Sequence, residues 1–78
     1  MDNKTTVFKR SIKIGGRNTS VSLEDAFWAS LREIANLRGL TATDLINQIE
    51  REKDRNNLSS AVRVFVLEHY RTSFNSER

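Results

Sequence analysis

The chain has 78 residues, with thirteen Lys and Arg against ten Asp and Glu, a net charge of +3 and no cysteine. A chain this short has a single small core, and without cysteine it has neither disulfides nor thiolate metal sites; its one histidine has no carboxylates placed to complete a zinc site. The support that remains for so small a domain is a second subunit, so a homodimer is expected.

No apolar run approaches the ~20 residues that span a bilayer. The opening Met-Asp-Asn-Lys-Thr-Thr lacks the apolar core of a signal peptide. The expectation is a soluble, cytoplasmic protein of a bacterium-like cell, with no membrane attachment. Charge is unevenly spread. Residues 1–23 carry Lys4, Lys9, Arg10, Lys13 and Arg17 against Asp2 alone, a local charge of +4, whereas residues 24–78 sum to −1. A basic patch confined to one element is an electrostatic footprint of nucleic-acid binding.

In chain order, residues 1–6 read as a disordered arm. Residues 7–23 read as two short strands around Gly15-Gly16, a pair that accepts positive φ and therefore suits a two-residue hairpin turn. With that turn, Ile14 faces Arg17, Ile12 faces Thr19, Arg10 faces Val21 and Phe8 faces Leu23. One face then collects Phe8, Ile12, Ile14, Thr19, Val21 and Leu23, with Arg10 and Arg17 as intruders. The other collects Lys9, Ser11, Lys13, Asn18, Ser20 and Ser22, polar and basic and without an acid. A slip of one residue would destroy this sorting.

The first helix is predicted to start near Glu24, with Ser22-Leu-Glu-Asp25 as a capping box. Phe27, Leu31, Ile34 and Ala35 form its apolar stripe, widened by Trp28 and extended by Leu37, and Gly39 is its stop. Thr41-Ala-Thr-Asp44 is a second capping box, opening a short helix that buries Ala42, Leu45, Ile46 and Ile49. A third helix is predicted over 58–72. Its central turns are apolar nearly all round, so it is expected to be buried on several sides, across a subunit interface. Residues 73–78 read as a flexible polar tail.

The order strand, helix, Gly-containing turn, helix resembles the ribbon-helix-helix (MetJ/Arc-like) DNA-binding proteins. The residues that carry the likeness are Thr19-Ser-Val-Ser-Leu-Glu24 running into Phe27-Trp28, then Gly39-Leu-Thr-Ala-Thr-Asp-Leu-Ile46, then Asn57-Leu-Ser-Ser-Ala-Val-Arg-Val-Phe-Val-Leu-Glu-His69. The stretch 9–69 is similar to a group of small bacterial members of that family. The resemblance implies a mainly α fold with a short N-terminal β-ribbon (α+β), a ribbon-helix-helix homodimer with an extra short helix, its domain spanning residues 7–72. It further implies a ribbon built from one strand of each of two chains and inserted into the major groove. Both the Thr41 helix and the Leu58 helix resemble the family's second helix.

Carried over onto this chain, the resemblance makes Asn18, Ser20 and Ser22 the base-contacting residues. They lie on the polar face already obtained from the hairpin register. Asn pairs with adenine, and Ser serves several bases; Ser22 either reads a base or caps the first helix. Lys9, Lys13 and Arg17 are expected on phosphates, supplying affinity and salt dependence rather than sequence choice. The family also clamps a phosphate at the start of its second helix, where free N–H groups and the dipole favour an anion. The first two helix starts carry Glu24, Asp25 and Asp44. Residues 57–63 carry no acid, which assigns the clamp to Asn57, Ser59 and Ser60, although Asn57 is also a plain N-cap candidate.

His69 has no Ser, Asp or Lys spaced to activate it, and Trp28 and Phe65 sit among aliphatic neighbours. No catalytic residue, metal or cofactor is predicted, and the chain reads as a non-enzyme. The leading reading is a dimeric, sequence-specific binder of double-stranded DNA, a transcriptional repressor associated with the nucleoid. The alternatives are an antitoxin of a toxin-antitoxin pair, against which the short stretch after the third helix counts, and a protein-interaction module that presents the basic ribbon face.

Overall fold

The computed structural model describes residues 6–52 and 57–76. The chain begins with a hairpin of β1 (Val7–Ile14) and β2 (Arg17–Glu24), antiparallel, closed by Gly15 at φ 56° and Gly16 at φ 84°. Two consecutive positive φ values twist a two-residue turn in the sense the strands require, which is why a Gly-Gly pair stands there. The register is the one the turn dictates, from Ile14 opposite Arg17 to Val7 opposite Glu24. β1 and β2 pair within the chain, as the hairpin reading of residues 7–23 requires.

Three helices back one face of this ribbon: α1 (Asp25–Leu37), α2 (Ala42–Glu52) and α3 (Leu58–Ser76). The core lies between. The ribbon contributes Ile12, Ile14, Val21 and Leu23, and α1 contributes Trp28, Leu31, Ile34 and Ala35. From α2 come Leu45, Ile46 and Ile49, and from α3 Leu58, Val62 and Val66. The intruding Arg10 stays exposed and lays its guanidinium over the Trp28 ring, 5.0 Å from the centroid. That cation–π contact lets a charge sit on the helix-facing side of the ribbon without being buried. The Trp28 indole N–H donates to the Phe8 carbonyl at 3.2 Å, tying α1 to β1.

Both short connections follow local chemistry. After α1, the Gly39 N–H donates to the Asn36 carbonyl and the Leu40 N–H to the Ala35 carbonyl, with Gly39 at φ 72°. This pair of bonds is a Schellman motif. Thr41 and Asp44 then form a reciprocal capping box: the Asp44 N–H donates to Thr41 Oγ1 (3.0 Å) and the Thr41 N–H to Asp44 Oδ2 (3.3 Å).

Three expectations are corrected. The Ser22 capping box does not form: Ser22 belongs to β2, and the N-cap of α1 is Glu24, with no side-chain cap bond. Leu37 is 77% exposed, because α1 has outrun the core by its last turn. α3 continues to Ser76, beyond the point where apolar periodicity ends near Thr72. Within the chain α3 buries a single stripe, leaving Val64 and Leu67 exposed. Of the expected N-terminal arm, residues 1–5 lie outside the described residues, and the Thr6 carbonyl accepts the Asp25 N–H at 3.2 Å.

A β-carbon added at Gly39 meets nothing within 4 Å, so the objection to a side chain there is its backbone angle alone. Gly39→Ala should therefore lower stability by about 1–2 kcal/mol, and Gly39→Asn by less, since Asn tolerates the left-handed region. Urea unfolding at one protein concentration checks the order.

Candidate nucleic-acid interface

The ribbon face turned away from the helices carries the side chains that pattern reading singled out. Cross-strand pairing sets Lys9 beside Ser22, Ser11 beside Ser20 and Lys13 beside Asn18, all on this face because side chains two residues apart share a side. All but Ser22 are exposed, and Ser22 is half-buried. Arg17 is exposed too, but register assigns it to the other face, next to the turn.

Glu24, also half-buried, closes this row at the far end from the turn. It is an acid at the end of an otherwise polar and basic row, and Arg63 of α3 engages it, with Nε donating to Oε1 at 3.0 Å. Its carboxyl is held below the usual carboxylate range, first by a hydrogen bond from its own backbone N–H and then by Arg63, with slight desolvation opposing. The negative charge therefore persists but is matched at contact distance.

α3 also covers the edge of β2. The Ser22 N–H donates to Ser59 Oγ at 2.9 Å, and Arg63 Nη2 donates to the Ser22 carbonyl at 3.3 Å. The opposite edge is held by α2, where Asn47 Nδ2 donates to the Lys13 carbonyl at 3.2 Å. Side chains thus satisfy ribbon backbone groups that would otherwise point sideways into water or towards another strand.

These contacts redistribute the expected roles. Asn57 is the N-cap of α3, its Oδ1 accepting the Ser60 N–H at 3.0 Å. Ser59 is half-buried and holds β2; because its oxygen is the acceptor in that bond, its own O–H is still a donor. Ser60 is exposed in the first turn. The start of α3 is therefore one hydrogen bond away from the ribbon, at the Lys9–Ser22 end. Sequence reasoning did not find Arg63 or Asn47. Each acts on a residue more than thirty positions away, and only a polar residue on a helix flank hinted at either.

Removing the edge contacts should loosen the ribbon before it unfolds the chain. Ser59→Ala leaves the Ser22 N–H without its partner and should cost about 1 kcal/mol. The Glu24–Arg63 pair gives a pH signature. A carboxylate whose folded pKa is lowered contributes stability above the usual carboxylate range and loses it as the pH falls through the folded value. Wild type should therefore be more stable than Glu24→Gln at neutral pH, and the two should converge in acid; thermal melts across pH 2–7 read this directly.

The ribbon-helix-helix domain family matches residues 7–70. Among solved structures, an uncharacterized protein from Bordetella pertussis Tohama I superposes with a TM-score of 0.82 at 30% identity, over 97% of this chain. The chain spans 65% of the length of that protein. No curated protein matches. A two-stranded N-terminal ribbon backed by helices, matched over residues 7–70, makes this chain a member of the ribbon-helix-helix family of DNA-binding domains.

Proposed function

We propose that the protein is a homodimeric, sequence-specific regulator of transcription, a repressor in the cytoplasm that binds duplex DNA through its ribbon. The observation that carries this reading is the outer ribbon face: two rows of polar and basic side chains, exposed except for the half-buried Ser22, closed by an acid, Glu24, that is paired with Arg63. A two-stranded ribbon fits the major groove. In this reading Asn18, Ser20 and Ser22 contact base edges, and Lys9, Lys13 and Arg17 neutralise phosphates. Asn57, Ser59 and Ser60 hold a further phosphate at the start of α3, where the N-terminal dipole adds to the attraction. No catalytic role is assigned to any residue; His69 packs edge-on against Tyr70, with ring centroids 5.0 Å apart.

Binding to duplex DNA should weaken log-linearly with salt. Lys13→Ala should lower that slope by about one unit. Arg10→Ala should leave the slope unchanged and reduce stability instead, since Arg10 spends its charge on Trp28. Ser60→Asp should abolish binding to every sequence while the fold survives, and Thr43→Asp should not. If Thr43→Asp abolishes binding and Ser60→Asp leaves it intact, the clamp belongs to α2. If no duplex is retained at low salt, the DNA reading itself fails.

The homodimer is supported by the apolar surface that one chain leaves uncovered. Val64 is 54% exposed, Leu67 53% and Tyr70 42%, and Leu67 and Tyr70 line a shallow apolar groove with Phe27 and Val66. An uncovered apolar patch on so small a chain marks an association surface. Leu67→Glu should shift sedimentation from dimer to monomer with helical content retained. A wild-type monomer at micromolar concentration would contradict the dimer.

A further inference from the structure

Resting on the DNA-binding reading above, we propose that Glu24 limits the protein's affinity for DNA. Its carboxylate holds Arg63 back from the polyanion and sets a negative charge where the ribbon meets the start of α3. Phosphate attraction is independent of sequence, so restraining it weakens binding to every duplex and leaves base contacts a larger share of what remains.

Glu24 stands where repulsion counts. It ends the outer row of β2, and the Ser22 N–H two residues before it donates to Ser59 Oγ at 2.9 Å, which brings the start of α3 to this end of the ribbon. Arg63 lies three residues after Ser60 and four after Ser59, on the same flank of α3. Without Glu24 its guanidinium would add a cation to that junction. Instead Nε donates to Glu24 Oε1 at 3.0 Å and Nη2 to the Ser22 carbonyl at 3.3 Å. The two side chains are 35% and 31% exposed, so an approaching phosphate meets both charges at once. A bond from its own backbone N–H and then the Arg63 guanidinium keep the carboxyl ionised. Glu24 is the N-cap of α1 yet makes no side-chain cap bond, so capping does not account for its carboxylate. An ion pair this exposed contributes little to stability. Its main consequence is electrostatic.

The test is binding of the full chain to mixed-sequence duplex DNA over a salt series, for wild type, Glu24→Gln, Arg63→Gln, the double variant and Glu33→Gln. Circular dichroism and melting check each fold. Glu33→Gln removes the same charge about 13 Å further along α1, beyond the ~8 Å screening length at physiological salt, and keeps an acceptor for the Tyr70 O–H. Glu24→Gln should bind about fivefold tighter at low salt, the factor for one contact charge pair in water, with a salt slope steeper by about one unit. Its melting temperature should not rise. A residue of purely structural role would lose affinity together with stability. Arg63→Gln should bind more weakly than wild type, the double variant should return to the wild-type slope, and Glu33→Gln should match wild type. If Glu24→Gln binds no tighter than Glu33→Gln, or the double variant keeps the whole gain, the proposal is overturned; the first comparison stands even if Arg63→Gln fails to fold. If wild type retains no duplex at low salt, the DNA-binding reading fails and this one with it.

Discussion

A two-residue turn decides which side of the ribbon every strand side chain takes. Gly15 and Gly16 both hold positive φ, and the pairing that follows puts Ile12, Ile14, Val21 and Leu23 against the helices. A shift of one residue would bury Lys9, Lys13, Asn18 and Ser20 and expose the ribbon's share of the core. Core and candidate interface are therefore two consequences of one register. The helices reinforce it: Val21 and Leu23 are fully buried, and a half-turn of the strand would leave that space to a lysine or a serine.

Register alone would still leave a two-stranded ribbon with two open edges, which is marginal in water. The chain answers with side chains rather than further strands. Ser59 and Arg63 hold β2 at Ser22, and Asn47 holds β1 at Lys13, so the ribbon is braced on opposite edges near opposite ends. Arg63 does double duty by matching Glu24, the acid that, among the described residues of the ribbon, would otherwise disturb the basic face. Stability and electrostatics meet in that residue: what steadies the ribbon also keeps its outer surface fit for a polyanion.

Much of this was legible in the residues. The Gly-Gly turn, the Thr41–Asp44 capping box and the stop at Gly39 are local, each decided by chemistry within a few positions, and each has the expected geometry. What escaped was non-local. Ser22 matches a capping box over four residues, yet its N–H is claimed by Ser59, thirty-seven positions away, because α3 lies along the edge of β2. Leu37 has the spacing of a core residue but sits past the end of the layer it would fill. The candidate interface was visible as an alternation of polar residues, while the edge contacts that hold it in place depend on helix packing that no local pattern encodes. The intrachain hairpin, by contrast, follows from the residues themselves: the eight residues just before the Gly15-Gly16 turn supply the strand that pairs with β2.

That β1 and β2 of one chain pair in this register is the claim on which the candidate interface depends, and one covalent measurement tests it. The natural chain has no cysteine, so a Ser11→Cys, Ser20→Cys double variant carries only the two thiols that face each other across the hairpin. Oxidised at low concentration and run without reductant under denaturing conditions, it should migrate as a single chain with both thiols consumed. A covalent dimer as the main product, with little intrachain bridge, would show that β2 takes its partner strand from another chain.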